Sequence, residues 1–236
     1  MWVCSDAASE PEDSGAATAP GKETGAREEY VHPPDGLFPA PLPRAAPHFH
    51  DVVERFRFLG VFVAKSLQDD RLVDLPLSLP MFRLMCGGRL ETTALLATMP
   101  ETAKVLLDLQ DLVIAKQAIR DDDALSASER DAALADLRLY AGTDHACRVE
   151  DLCISFVYTP PSSVYGFAEH ALCPRGADRM LDIDNVEEYI QLLSDFLLDG
   201  GIKSQLEAFG QGFQEVFPIE KLALFTPAEL RWAVVW

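Results

Sequence analysis

Five cysteines, Cys4, Cys86, Cys147, Cys153 and Cys173, are the first residues in this sequence able to carry covalent chemistry. A nucleophilic thiol needs a lowered pKa and an exposed, electropositive setting. Cys173, beside Pro174 and Arg175 in a loop-like stretch, comes nearest to that setting. Cys153 falls inside the apolar run LCISFVY and reads as core. No CxxC pair is present, and the spacings follow neither a disulfide nor a zinc framework. An odd, scattered set fits reduced and mostly buried thiols. His48, His50 and Asp51 form an HxHD string. In metal hydrolases such a string ends a strand, whereas here it precedes a helix, where Asp51 favours the positive end of the dipole. Asp121, Asp122 and Asp123 lack the glycine and ligand spacing of a calcium loop. GxGxxG, P-loop and GxSxG motifs are absent. Motif chemistry therefore assigns no catalytic residue, no metal ligand and no cofactor in this chain.

The bulk properties narrow the partners. The 236 residues carry 38 acidic and 20 basic side chains, a net charge of −18. Such a field repels a phosphate backbone, which argues against nucleic acid, and attracts a basic protein surface. No apolar run approaches the roughly 20 residues of a membrane-spanning helix, so no membrane partner is expected. No signal peptide opens the chain, since Asp6, Glu10, Glu12 and Asp13 come too early. Together with the unpaired cysteines this predicts a cytoplasmic or nuclear protein.

The elements that must position any site are mostly helical. Residues 1–30 are rich in Ala, Glu, Gly, Ser and Pro without periodicity and are expected to be disordered. Six prolines in 31–47 impose extended and turn conformations. Over 48–69, Val52, Phe56, Leu59, Val63 and Leu67 fall on one face of a helix, and Phe58, Val61, Phe62 and Ala64 fill much of the rest, so this helix should be central and buried. Gly60 inside it implies a close helix crossing. Ser78 caps a second helix with Pro80 in its first turn, ending at Gly87-Gly88. Further helices are predicted over about 90–98, 101–119 and from Ser128 with Asp131 to Tyr140. Strand character marks 152–158, with two more strands at 163–167 and 179–183. Asp184 with Glu187 reads as a capping box for a helix that ends at Gly200-Gly201. A helix over 202–213 and one capped by Thr226 with Glu229 follow.

Three ordered stretches carry a family resemblance. FRFLGVFVAKSLQDDRLVDLPLSLPMFRLMCGG (56–88), VEDLCISF (149–156) and DNVEEYIQLLSDFLLDGGIKSQLEAFGQGFQEVFPIEKLALFTPAEL (184–230) resemble the HECT-type ubiquitin ligases over roughly residues 36–236. The spacer containing SSVYGF (162–167) looks closest to the large ankyrin-repeat-containing HECT subfamily. The resemblance implies an α+β fold, predominantly α-helical, HECT N-lobe-like with a small β-containing sublobe at about 89–195 that docks a ubiquitin-conjugating enzyme. It implies transfer of ubiquitin through a cysteine thioester to lysines of protein substrates. By the same resemblance the docking groove falls on Val105, Leu109, Tyr140, Leu152, Ile154, Tyr189 and Leu193. The family's nucleophile belongs to a C-lobe that this sequence lacks, and its N-terminal helices find no match before residue 30. The chain is therefore expected to be a fragment, 31–236 forming a partial N-lobe, unable to form a ubiquitin thioester by itself. The other reading is a non-catalytic helical protein-interaction module.

Overall fold

The computed structural model describes residues 35–71, 73–161 and 166–234, so the disorder expected for 1–30 lies outside them. Helix α1, Phe49–Gln68, buries Val52, Phe56, Gly60, Val63 and Ala64. That buried stripe packs along α7, Lys203–Gln214, whose own buried face is Gln205, Ala208, Phe209, Gly212 and Phe213. Two glycines set their separation. Gly60 faces the Phe209 carbonyl and Gly212 faces the Arg57 carbonyl, with no room for a methyl group at either position. Phe38, Leu77, Met81 and Phe82 complete the core on this side.

Helix α2, Leu79–Met85, starts as its sequence requires: the Met81 amide donates to Ser78 Oγ at 3.4 Å, with Pro80 in the first turn. Ahead of it, Leu37 and Leu77 form a parallel bridge through Leu37 N–H to Pro76 O at 2.6 Å and Ser78 N–H to Leu37 O at 2.9 Å. Helix α8, Pro227–Val234, packs against α2. Its capping box has Glu229 Oε2 accepting from the Thr226 amide at 2.8 Å and from its hydroxyl at 2.9 Å.

The middle of the chain is built around α4, Pro100–Asp121, preceded by the one-turn helix α3, Leu95–Thr98, and followed by α5, Ala127–Ala135. The helix expected over 90–98 is thus reduced to a 3-10 turn at Thr92–Ala94 and α3. For α5 the capping box is Ser126 with Glu129, not Ser128 with Asp131, and the helix ends at Ala135 rather than Tyr140. Both pairs match the S-x-x-acid pattern. The longer Glu129 side chain reaches back to the Ser126 amide at 2.9 Å and hydroxyl at 2.6 Å.

The β content is smaller than its residues suggest. Strand β1, Val157–Tyr158, pairs antiparallel with β2, His170–Ala171, in one two-stranded sheet. The strand expected over 152–158 is interrupted because Val149–Leu152 forms a 3-10 turn and Cys153 turns left-handed at φ 50°. Of 179–183, Met180 makes a single bridge to Ser155. Residues 163–165 of the other expected strand lie outside the described residues, and Gly166 and Phe167 are not in a strand. Helix α6, Val186–Asp195, continues into a π-helical turn at Phe196–Gly200. Its entry is an Asx turn, Asp182 Oδ1 accepting from the Asp184 and Asn185 amides at 2.9 Å each, in place of a capping box at Asp184.

Candidate docking site

Helix α4 has one buried stripe: Ala103, Leu106, Leu109, Leu112 and Lys116. Val105 lies off that stripe and is 40% exposed, whereas Leu109 lies on it and is 0% exposed. Helix α6 packs on this side of α4 and buries Val186, Tyr189 and Leu193. The Tyr189 ring meets Phe156 edge-on, centroids 5.3 Å apart at 80°. Burial pushes its hydroxyl pKa up. Three of the seven expected groove residues, Leu109, Tyr189 and Leu193, are therefore buried. The reason is periodic: apolar residues at spacings of three and four fill the inward face of a helix.

The remaining four sit at the surface or halfway out. Tyr140 is 42% exposed and begins a tight turn in which the Thr143 amide and hydroxyl both donate to Tyr140 O, at 3.1 and 2.7 Å. Its backbone is left-handed, φ 54°, a conformation that β-carbon-bearing residues rarely adopt. The antiparallel bridge between Leu139 and Cys147 anchors it, through N–H···O bonds of 2.9 and 3.2 Å. From there the Tyr140 hydroxyl donates to Asp108 Oδ2 at 2.8 Å, which ties the turn to α4 one turn beyond Val105. The hydrogen bond to Asp108, with a smaller contribution from burial, raises the Tyr140 pKa. Leu152 and Ile154 are half-buried on either side of Cys153, and the Ile154 carbonyl accepts from the Leu181 amide at 2.8 Å. So Tyr140 is tied to α4 at Asp108, three residues after Val105, while Tyr189 packs on the 152–156 segment through Phe156.

Polar residues that the sequence reading passed over hold these elements together. Lys116 is 1% exposed and donates to both carboxylate oxygens of Glu187, at 3.0 and 2.9 Å. Burial pushes the Glu187 carboxyl up, but the hydrogen bond from Lys116, a backbone hydrogen bond and the charges of Lys116 and Arg120 together outweigh it, and the net shift is downward. Arg179 grips Glu188 with two hydrogen bonds, 2.7 and 2.5 Å, and its guanidinium lies 4.2 Å over the Phe156 ring. Lys116 is four residues beyond Leu112 and seven beyond Leu109, and that phase was the available signal for it.

The cysteines stand differently from expectation. Cys153 is exposed, because the left-handed turn takes it out of the apolar run. Cys86, Cys147 and Cys173 are half-buried and free, so none of the four described thiols is fully buried. Cys173 meets the Arg179 guanidinium. Among the described residues no group of three or more His, Cys, Asp or Glu is placed to hold a metal ion, and no helix is long and apolar enough to cross a membrane. A cleft of about 600 Å³ opens between residues 84–92, α4 and α6, lined in part by Arg89, Glu91, Gln110, Asp195 and Asp199; none of the seven expected residues lines it.

Residues 22–235 match the model of the HECT domain, described as a ubiquitin-transferase domain. The chain belongs to the HECT-domain family. Among similar proteins, the E3 ubiquitin-protein ligase Ufd4 of Drosophila melanogaster is 33% identical over 282 residues, covering 99% of this chain and 10% of that protein. The E3 ubiquitin-protein ligase hecd-1 of Caenorhabditis elegans is 36% identical, covering 98% of this chain and 9% of its own length. UPL3 of Arabidopsis thaliana, also named an E3 ubiquitin-protein ligase, is 37% identical over 89% of this chain and 10% of its own. The chain thus spans about a tenth of the length of these HECT proteins. The predominantly helical α+β architecture with one small sheet agrees with the expected N-lobe-like fold class.

Proposed function

We propose that this HECT-family chain docks a ubiquitin-conjugating enzyme on the surface formed by Val105, Tyr140, Leu152 and Ile154, with Leu109, Tyr189 and Leu193 as its buried support. The observation that carries the reading is that Val105 and Tyr140 are both exposed and that Tyr140 is braced on α4 by its hydrogen bond to Asp108, three residues after Val105. A strained, braced aromatic at a surface is a usual mark of a contact site, and a few such side chains suffice as anchors. A small interface of this kind gives weak, reversible binding, which suits a carrier that must leave after each transfer. In the full ligase, a thiolate attacks the carrier's thioester carbonyl and expels the carrier's thiol. A substrate lysine amine then attacks the new thioester, forming an amide and releasing the ligase cysteine. This reading assigns that nucleophile to none of the cysteines in this chain, and it places the protein in the cytosol or nucleus.

The test is a chemical-shift titration with a ubiquitin-conjugating enzyme. Perturbation centred on Val105, Tyr140, Leu152 and Ile154, abolished by Val105→Asp without change in melting, is the expected result; silence at those four residues refutes the reading. Incubation with the ubiquitin-charged enzyme should leave no reducible adduct on this chain. A second reading, a helical protein-interaction module outside ubiquitin chemistry, is favoured by the stacked, exposed pair Phe58 and Phe62 on α1. Binding that maps to those rings instead selects it.

A further inference from the structure

Helix α6 opens with two adjacent glutamates that reach different neighbours. Glu187 accepts both hydrogen bonds of the buried Lys116 ammonium, across from the last turns of α4. A looser pair, Arg120 to Asp184 at 3.9 Å, runs from α4 to the turn that enters α6. Glu188 accepts from Arg179, whose guanidinium covers Phe156, and Phe156 in turn packs edge-on against Tyr189, the residue after Glu188. The loop Glu188–Arg179–Phe156–Tyr189 therefore closes on itself. The three elements joined at this point, α4, the 152–156 segment and α6, are the ones that carry Val105, Leu152, Ile154 and their buried support.

Apolar faces can slide or rotate past one another with little loss, whereas an ion pair has one partner and one direction. At the Lys116 position a leucine or methionine would continue the stripe of Leu109 and Leu112; an ammonium there is satisfied in one arrangement, against Glu187. Burying a charge in place of an apolar group adds little stability, and its best-attested use is to fix register. The Arg179–Glu188 pair, with side chains 37% and 51% exposed, adds little stability either. Its two-point geometry supplies direction.

We propose that Glu187 and Glu188 are the positioning residues of the docking face: Glu187 sets α4 through Lys116, and Glu188 sets the 152–156 segment through Arg179. The proposal rests on the docking reading above. It is tested in the full chain with Lys116→Met, Glu188→Gln and Arg179→Lys, the last keeping the charge and losing the two-point grip. Three quantities are read: thermal melting, the methyl spectra of Val105, Leu152 and Ile154 in the free protein, and the affinity for a ubiquitin-conjugating enzyme. Glu188→Gln and Arg179→Lys are expected to melt within a few degrees of the parent, to shift the Leu152 and Ile154 methyls, and to bind about tenfold more weakly, a coupling of the size seen within contacting networks. Lys116→Met is expected to shift the Val105 methyls and weaken binding similarly. Parental affinity in all three variants overturns the proposal. If the unmodified chain binds no conjugating enzyme, the docking reading fails by itself. The free-protein spectra then decide the positioning claim, and unchanged Val105, Leu152 and Ile154 methyls overturn it.

Discussion

Replacing Gly60 by alanine adds one methyl group at the closest approach of α1 and α7. In an open helix this change stabilises by about 1 kcal/mol, because glycine has the greater backbone freedom to lose. Here the added carbon would overlap the Phe209 carbonyl oxygen and lie 2.8 Å from the Phe213 amide nitrogen. Both obstacles are helix backbone, which cannot swing aside as a side chain can, so the two helices must separate. A gap of 0.5–1 Å forfeits roughly a quarter to a half of each contact's dispersion well, and the side chains along this seam include Phe56, Val63, Phe209 and Phe213, all nearly or fully buried. Overpacking of this kind costs about 1–3 kcal/mol and sometimes more. With rigid backbone as the obstacle the upper part of that range applies, so after the propensity gain we expect Gly60→Ala to destabilise by about 1–2 kcal/mol, lowering Tm by roughly 2–8 °C for a domain of this size. Gly212→Ala meets the Arg57 carbonyl from the other side of the crossing and should behave alike. The double variant should cost less than the sum, since one separation relieves both clashes. Gly210→Ala is the control: its methyl meets Ile219 Cδ1 at an ordinary 3.7 Å, so it should stabilise by about 0.5–1 kcal/mol. Urea and thermal unfolding measure all four. A Gly60→Ala variant as stable as Gly210→Ala would refute the reasoning, because the helices would then not be held at glycine distance.

Three further outcomes follow from the buried polar and aromatic groups. Glu187→Ala strands an ammonium that is 1% exposed, whereas Lys116→Met leaves a carboxylate whose side chain is 43% exposed and which water solvates; the first should cost about 3 kcal/mol and the second less than about 1 kcal/mol, and equal losses in urea melts would contradict the burial. Tyr189→Ala removes a ring packed on Phe156 and should unfold by about 3–5 kcal/mol, so a variant that melts normally and loses only partner binding would return Tyr189 to the contact surface. His170 stacks on Phe196 at 4.5 Å, and burial depresses its imidazole pKa; the neutral form is favoured by folding, so its contribution is complete above the ordinary value of about 6.5 and is lost as pH falls from there through the depressed folded value. Stability of the parent should drop faster than that of His170→Phe over that acid window, and parallel pH profiles would remove His170 as the cause.

What was legible in the residues was what rests on long periods and complete caps. The α1 stripe runs about four turns, Val52 to Leu67, Ser78 with Pro80 and Thr226 with Glu229 punctuate cleanly, and the otherwise unfavourable Gly60 pointed to the close crossing found at Phe209. Two-residue strands leave no alternation to read, which is why β2 at His170 and Ala171 was missed and why the turn at Cys153 broke a run that looked continuous. The expected groove residues divide between buried and exposed for a related reason. The three-and-four spacing that picks out Leu109, Tyr189 and Leu193 is the signature of the face a helix turns inward, so it selects support rather than surface. The side chains that the docking proposal needs are the ones out of phase. Val105 falls between Ala103 and Leu106 on α4 and emerges at the surface, and Tyr140 reaches it through a left-handed turn that no periodicity encodes. Lys116 is the converse case, a charge in phase with the apolar stripe, and it is buried against Glu187. On α4, then, Val105 is an apolar residue out of phase with the buried stripe, as Ile114 is, and Lys116 is a charge in phase with it; on the docking and positioning proposals Val105 belongs to the contact and Lys116 to the device that aims it.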